Sequence, residues 1–447
     1  MPLLEDPPKR HGARLVLIQE IRGLLVSPAL WIMLIIVSLL VGYSFFQAVD
    51  LFSQASRTAL SFPELASGMN PLEGIFVPTF GAYYLSQTLL LPFVAIRLIG
   101  LDKQSGALKL LLQLPLSPLT LCGLKMTAMG LVWLVSLLPA ASALILWHHL
   151  GGHIYPPEIA LLLAGHGLYS LTVISIAMFA ATISDSLPTA AMFCLAATLG
   201  SWVLDFAASG QSGLLGTLGS LSLTGMLRQF ESGLLSSAHI ASFLSLALLF
   251  FLLTVIWLHP GQRLFLKLAK SFVCIILLCL AVSSALLAPT YMDVTENQRH
   301  SFNPADSRAL HTLSEPLTIT IYLASQDSRL LDLERDVLGK LRRSVPKLNV
   351  KHGQTKPTGL FNATASDNYG LIQYEYGGQR DQSYSNSENE ILPIIYTLAE
   401  LQVVADSVPT YRGHPLVAEA TESRWWFYIF LPLFFAGGGV YCRKGKW

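Results

Sequence analysis

The side chains able to do chemistry are few and widely spaced. After an apolar stretch, Trp147-His148-His149-Leu150-Gly151-Gly152-His153 places three imidazoles within six residues, a density that suits copper or zinc. No carboxylate or cysteine flanks them and no Met-rich run accompanies them, so the plainer reading of His148, His149 and His153 is a polar decoration beside an interfacial tryptophan. Three further ionisable residues fall inside apolar blocks. Arg97 and Asp205 sit close enough to block ends to reach the surface; His166, between Gly165 and Gly167, is deep enough to mark a pathway or to tie helices together. The five cysteines lie in or beside apolar blocks without disulfide or zinc-ribbon spacing. Nor does a Ser/His/Asp arrangement or carboxylate pair stand out in the polar part, which argues against hydrolysis there.

The elements that position these residues follow from composition. Of 447 residues, 52% are hydrophobic and 13% charged, against about 25% charged in an average soluble protein. Net charge is +1, too little for a nucleic-acid binder. Apolar blocks near 29–49, 76–100, 127–147, 159–183, 189–207, 238–258, 272–291 and 425–441 predict an α-helical polytopic membrane protein of eight spans. Pro92 predicts a kink in the second. Ahead of them, Leu15, Ile18, Ile21, Leu24 and Leu25 form a helical stripe from which Gln19, Glu20 and Arg22 are turned away, as in an amphipathic helix lying in the membrane interface over 1–28. No cleavable leader fits the first block. Basic residues cluster before the first block, between the second and third, after the sixth and at the end of the chain. With eight spans all four clusters share one side, which predicts cytoplasmic termini and an extracytoplasmic 292–424.

That polar region reads as an α/β domain. Residues 317–323 alternate like a strand, 329–345 repeat leucine and valine at helical spacing, 348–352 and 369–378 read as strands and 388–401 as a helix despite Pro393. Residues 354–368 read as a loop. Tyr369, Tyr374, Tyr376 and Tyr384 would suit ligand stacking if they shared a face, although strands favour tyrosine in any case.

The segment from Asp102 to Lys125, DKQSGALKLLLQLPLSPLTLCGLK, joins two spans without being a plain loop. Asp102 to Leu114 predicts a helix with Leu108, Leu111 and Leu112 on one side, broken by Pro115 and Pro118. Its order of residues, Asp102, Gly106, Ala107, Leu108, Leu110, Leu114, Pro115, Leu116, Ser117 and Lys125, resembles the permease subunits of type 2 ABC exporters of the gliding-motility and multicopper-maturation kind. Asp102 and Ala107 depart from the Arg-Glu and Thr usual there. Ser220, Ser222, Phe230 and Gly233 fall where that family has an outer re-entrant hairpin. Beyond the sixth span the chain is similar to the auxiliary protein of gliding-motility ABC systems, through Asp293, Thr295, Arg299 and Ser301, through Glu390, and through the final apolar anchor with its basic tail.

The resemblance implies a six-span permease over 29–258, a linker and seventh span over 259–291, a shortened auxiliary domain over 292–424 and an anchor over 425–447. It implies a bacterial inner-membrane location and export driven by a separate ATPase in two copies, docked on the 102–125 segment, with a permease homodimer or a second permease. No G-x-x-x-x-G-K-[ST] loop occurs, and Gly339-Lys340 and Gly445-Lys446 lack its context. ATP and Mg²⁺ would therefore sit on the partner; no enzyme activity, cofactor or nucleic acid is expected for this chain. The alternative from another class is a scaffold whose outer domain recruits envelope or periplasmic proteins.

Overall fold

A chain in hydrocarbon must satisfy its backbone polar groups internally, so apolar blocks of this length become helices. The computed structural model describes residues 8–208, 216, 219, 222–287, 290–324, 327–353, 368–403, 411–421 and 423–444. Ser220, most of the 354–368 loop and the Gly445-Lys446 pair lie outside them. Among the described residues eight helices are long and apolar enough to cross a membrane, which makes the protein a polytopic α-helical membrane protein. They are Pro28–Ser61, Leu72–Ser105, Pro118–His149, Pro156–Ile183, Leu187–Ala208, Ser237–Leu258, Leu264–Leu287 and Ser423–Arg443, spans 1 to 8 below.

Each span matches one apolar block, but several overrun it. Span 1 continues to Ser61, span 3 begins at Pro118 rather than near 127, and span 7 at Leu264 rather than near 272. Hydropathy fades where polar residues start, whereas a helix stops only at a cap or a proline. Ser117 caps span 3, its Oγ accepting from the Thr120 N–H at 3.1 Å, with Pro118 in the first turn. Span 1 stops at Phe62, held extended ahead of Pro63.

The bundle has one continuous core, with Val37 and Phe45 of span 1, Tyr83 of span 2, Met129 of span 3 and Tyr169 of span 4 at its centre. Span 8 is built into it, against span 1. A Cβ on Gly42 would meet the Phe427 Cβ at 2.5 Å, Gly438 and Gly439 lie under the Trp31 ring, and Ser38 Oγ donates to the Phe427 carbonyl at 2.9 Å. The six-span unit and the anchor are thus one packed body in space. Span 7 packs on span 6 and, of its residues, only Ser271 is buried.

The two ends of the bundle differ. One gathers helix α1 (Pro8–Val26), the segment between spans 2 and 3, the 184–186 turn and the end of span 8; there Lys103 Nζ donates to the Thr182 and Ser184 carbonyls at 3.2 and 2.7 Å. At the other end β1 (Leu234–Ser236) pairs antiparallel with β2 (Tyr291–Asp293), and the 411–421 strap runs back along span 1. Ser53 Oγ donates to the Ala418 carbonyl at 2.8 Å and accepts from its N–H at 3.0 Å.

The α/β domain has a core of its own, including Leu317, Ile319, Leu341, Ile372, Tyr374 and Ile395. Its sheet runs β4 (Leu348–His352), β3 (Leu317–Ile321), β5 (Ile372–Tyr376), β6 (Gln379–Ser383). The β3–β4 pair is parallel, joined through the helical run 328–344, and the other pairs are antiparallel. The expected strands and helices are present. In addition QRDQS forms β6, a polar edge strand closed by the Gly377-Gly378 turn. The four tyrosines do not share a face: Tyr374 is buried, Tyr369 Oη donates to Asp327 Oδ2 at 2.8 Å, and Tyr384 is exposed.

Candidate functional site

The segment between spans 2 and 3 does not form one helix from Asp102 to Leu114. Span 2 runs to Ser105 and ends at Gly106, whose φ of 78° is the left-handed conformation a side chain disfavours. A short helix Ala107–Leu111 follows, then a turn through the exposed Pro115 to the Ser117 cap. Leu108, Leu111 and Leu112 pack half-buried against the bundle core, so this chain itself covers the stripe expected to seek a partner. Leu110 and Leu114 instead point outward, 67% and 41% exposed.

Lys125 lies two turns inside span 3 and is fully buried. Its Nζ donates to Glu20 Oε1 at 2.6 Å, Asp102 Oδ2 at 2.6 Å and the Leu98 carbonyl at 2.7 Å. All three ammonium protons therefore have acceptors, as a buried charge requires. Glu20 on α1 faces inward, whereas the helical stripe placed it away from the packed side; of the stripe, Leu15 and Ile18 are exposed while Leu24 is buried and Ile21 and Leu25 are half-buried, and Val16 outside the stripe is buried as well. The reason is Lys125, whose charge demands a carboxylate from α1. Burial raises the Glu20 carboxyl above its ordinary 4.5, and the attraction of Lys125 offsets this in part. The cluster locks α1, span 2 and span 3 together. Beside it a groove of about 640 Å³ opens between α1, span 2 and the short helix, lined by Leu15, Leu101, Leu110 and Leu114, with Arg97 at its edge. Among the described residues Arg97 Nε has no hydrogen-bond partner.

His166 is fully buried in span 4, between the rings of Phe80 and Tyr83. Its Nε2 lies 3.2 Å from Glu231 Oε1, at the end of the helix Leu223–Glu231. Among the described residues neither ring nitrogen has an aligned hydrogen-bond partner, so the contact with Glu231 is one of proximity. The adjacent Gly165 lies under Phe230. His166 therefore sits where the helix Leu223–Glu231 packs on span 4. Asp205 does not lie unpaired: it meets Arg228 at 3.3 Å and accepts from Ser222 Oγ at 3.2 Å.

The histidine run is divided. His148 and His149 are exposed, while His153 turns toward Glu296 and His414. The missing carboxylate comes from 143 residues further along the chain, where no spacing rule looks for it.

The residues after β2 build a junction. Asp293 accepts from the N–H groups of Thr295 and His300 at 3.1 and 2.9 Å and from Ser301 Oγ at 3.0 Å. The loop so formed aims Arg299 at the Ser232 carbonyl, 2.7 Å away, and at Glu73, 2.9 Å away. Glu390 is exposed on its helix. Compared with known proteins, the chain matches no family model, no curated protein and no solved structure.

Proposed function

We propose that the protein is the permease subunit of an ATP-driven exporter, moved by a separate ATPase that docks on the segment between spans 2 and 3. The observation that carries this reading is an outward apolar pair, Leu110 and Leu114, mounted beside a buried charge cluster. Asp102 and Lys125 tie spans 2 and 3 together beside that patch, and Glu20 adds α1, so a push on it meets a contiguous set of packed elements. In this reading ATP and Mg²⁺ belong to the ATPase, present in two copies, with a second permease completing the pathway. The end bearing α1 and the basic clusters is cytoplasmic, and the α/β domain lies outside the bacterial inner membrane, over the exit. The domain's separate core and its attachment at both ends favour a second role as a platform for envelope proteins.

The test is capture of the chain with its native partners from membranes in mild detergent. An ATPase subunit is expected with wild type and lost with Leu110→Asp, while Leu248→Asp, on an exposed face of span 6, retains it unless that variant fails to insert. Equal ATPase recovery with Leu110→Asp at normal membrane abundance refutes the docking site.

A further inference from the structure

Three side chains far apart in sequence converge where the α/β domain meets the bundle. His153 follows span 3, Glu296 follows β2 and His414 lies in the strap leading to span 8. His153 Nε2 is 2.9 Å from Glu296 Oε2, and His414 Nε2 is 3.3 and 3.4 Å from the two Glu296 oxygens. The three ligating atoms all lie within 4.8 Å of one another. We propose that His153, Glu296 and His414 form a binding site for a divalent transition-metal ion of the zinc class.

The donor set is two imidazoles and a carboxylate, a combination zinc accepts with a fourth position left over. Bonds of about 2.0–2.2 Å place neighbouring ligand atoms of a tetrahedral shell about 3.3–3.5 Å apart, and the observed separations from Glu296 lie at or just below that range. The imidazoles stack, centroids 3.7 Å apart and planes 16° from parallel. An ion requires them to splay so that both Nε2 lone pairs meet, a rotation open to side chains that are only half-buried.

Charge favours the same occupant. Glu296 lies against Glu158, which accepts the Glu296 N–H at 3.0 Å, and Arg299, the guanidinium ion-paired nearby, is engaged by Glu73. Among the described residues neither Glu296 nor Glu158 makes an ion pair with an Arg or Lys, so when the histidines are neutral these adjacent carboxyl groups lack a matching cation. A divalent ion supplies that charge without protonating either ring.

Each ligand is held by its backbone. Trp147 Nε1 donates to the His153 carbonyl at 3.0 Å, and the His414 N–H donates to the Met69 carbonyl at 2.9 Å. Gly413, at φ 70°, presses so closely on the Ala66 carbonyl that no Cβ fits, which fixes where His414 starts. Tyr411 stands edge-on to His414, and among the described residues its buried hydroxyl has no hydrogen-bond partner, which makes it a candidate for the fourth position or for holding a water there. An ion here bolts the strap and the segment after β2 to the loop after span 3, fixing the α/β domain at both of its ends.

The experiment uses the full chain in mild detergent, stripped with a chelator and titrated with Co²⁺ and then Zn²⁺. The expected result is one equivalent of Co²⁺ with visible absorption of a four-coordinate site, displaced by Zn²⁺. Glu296→Gln and His414→Asn are each expected to weaken binding at least about 100-fold, given that losing even an outer-shell partner costs 10–100-fold. The His148→Ala/His149→Ala double variant retains the equivalent. Zinc should also shield histidines of the wild type from diethylpyrocarbonate, a readout that needs no variant to fold. Wild type binding no more metal than Glu296→Gln, loss of binding in the double variant, or the absence of zinc protection overturns the proposal.

Discussion

Removing the carboxylates around Lys125 is the sharpest test of how α1 and spans 2 and 3 are held. In the native cluster one ammonium, with no exposed surface, meets two carboxylates at 2.6 Å and a carbonyl at 2.7 Å. Asp102→Asn leaves Glu20 and the Leu98 carbonyl in place, so the loss is that of one hydrogen bond to a charged group, about 1.5–3 kcal/mol. Glu20→Gln costs less, because burial already works against the Glu20 charge. The double variant strands the ammonium without a counter-charge, and breaking a buried pair this way costs about 3–5 kcal/mol. Hence the double loss exceeds that of either single. Adding Lys125→Met removes the stranded charge and returns most of the stability, as replacement of a buried ionic cluster by apolar groups often does. The assay is unfolding in mixed micelles with increasing sodium dodecyl sulfate, followed by tryptophan fluorescence on all members of the cycle. A double variant as stable as either single, or a triple no better than the double, refutes the account.

Three further outcomes are expected. For orientation, Ser105→Cys should be shielded from an impermeant thiol reagent in intact cells and Gln382→Cys labelled; the reverse pattern inverts the topology. Gly42→Leu should displace span 8 from span 1, since an added Cβ already meets Phe427 at 2.5 Å. Protease release of the C-terminal span from detergent-solubilised protein would rise, and wild-type resistance would show that the two spans do not pack there. His300 donates from a neutral ring to the Ser232 carbonyl at 2.8 Å, and burial lowers its pKa below the ordinary 6.5. The unfolded chain therefore binds the proton first, so the junction loses stability as pH falls below 6.5 toward the folded value. Amide exchange at β1 and β2 should accelerate on acidification in wild type and less so in His300→Asn; equal acceleration in both would place the titration elsewhere.

Much of the architecture is a property of contiguous residues and was therefore legible in the sequence. Eight apolar blocks became eight helices because hydropathy and the need to close backbone hydrogen bonds act within each block. The pattern LTITI became β3 and the leucine repeat after it a helix, because side-chain period is set by local geometry. β6 has no signature in the sequence, since QRDQS carries no apolar alternation and is made a strand by its neighbour β5. The helix after Asp102 is shorter than its run of leucines predicts, because Gly106 in its left-handed conformation decides the break. What only the tertiary structure decided is convergence. Glu20, Asp102 and Lys125 span 105 residues, and His153, Glu296 and His414 span more, so no periodicity relates them. Their meeting depends on how helices stack, and the stacking is driven by apolar surface that carries no record of which charge it will bring beside which. The sequence left Lys125 just ahead of the third apolar block, and packing alone buried it and chose its partners.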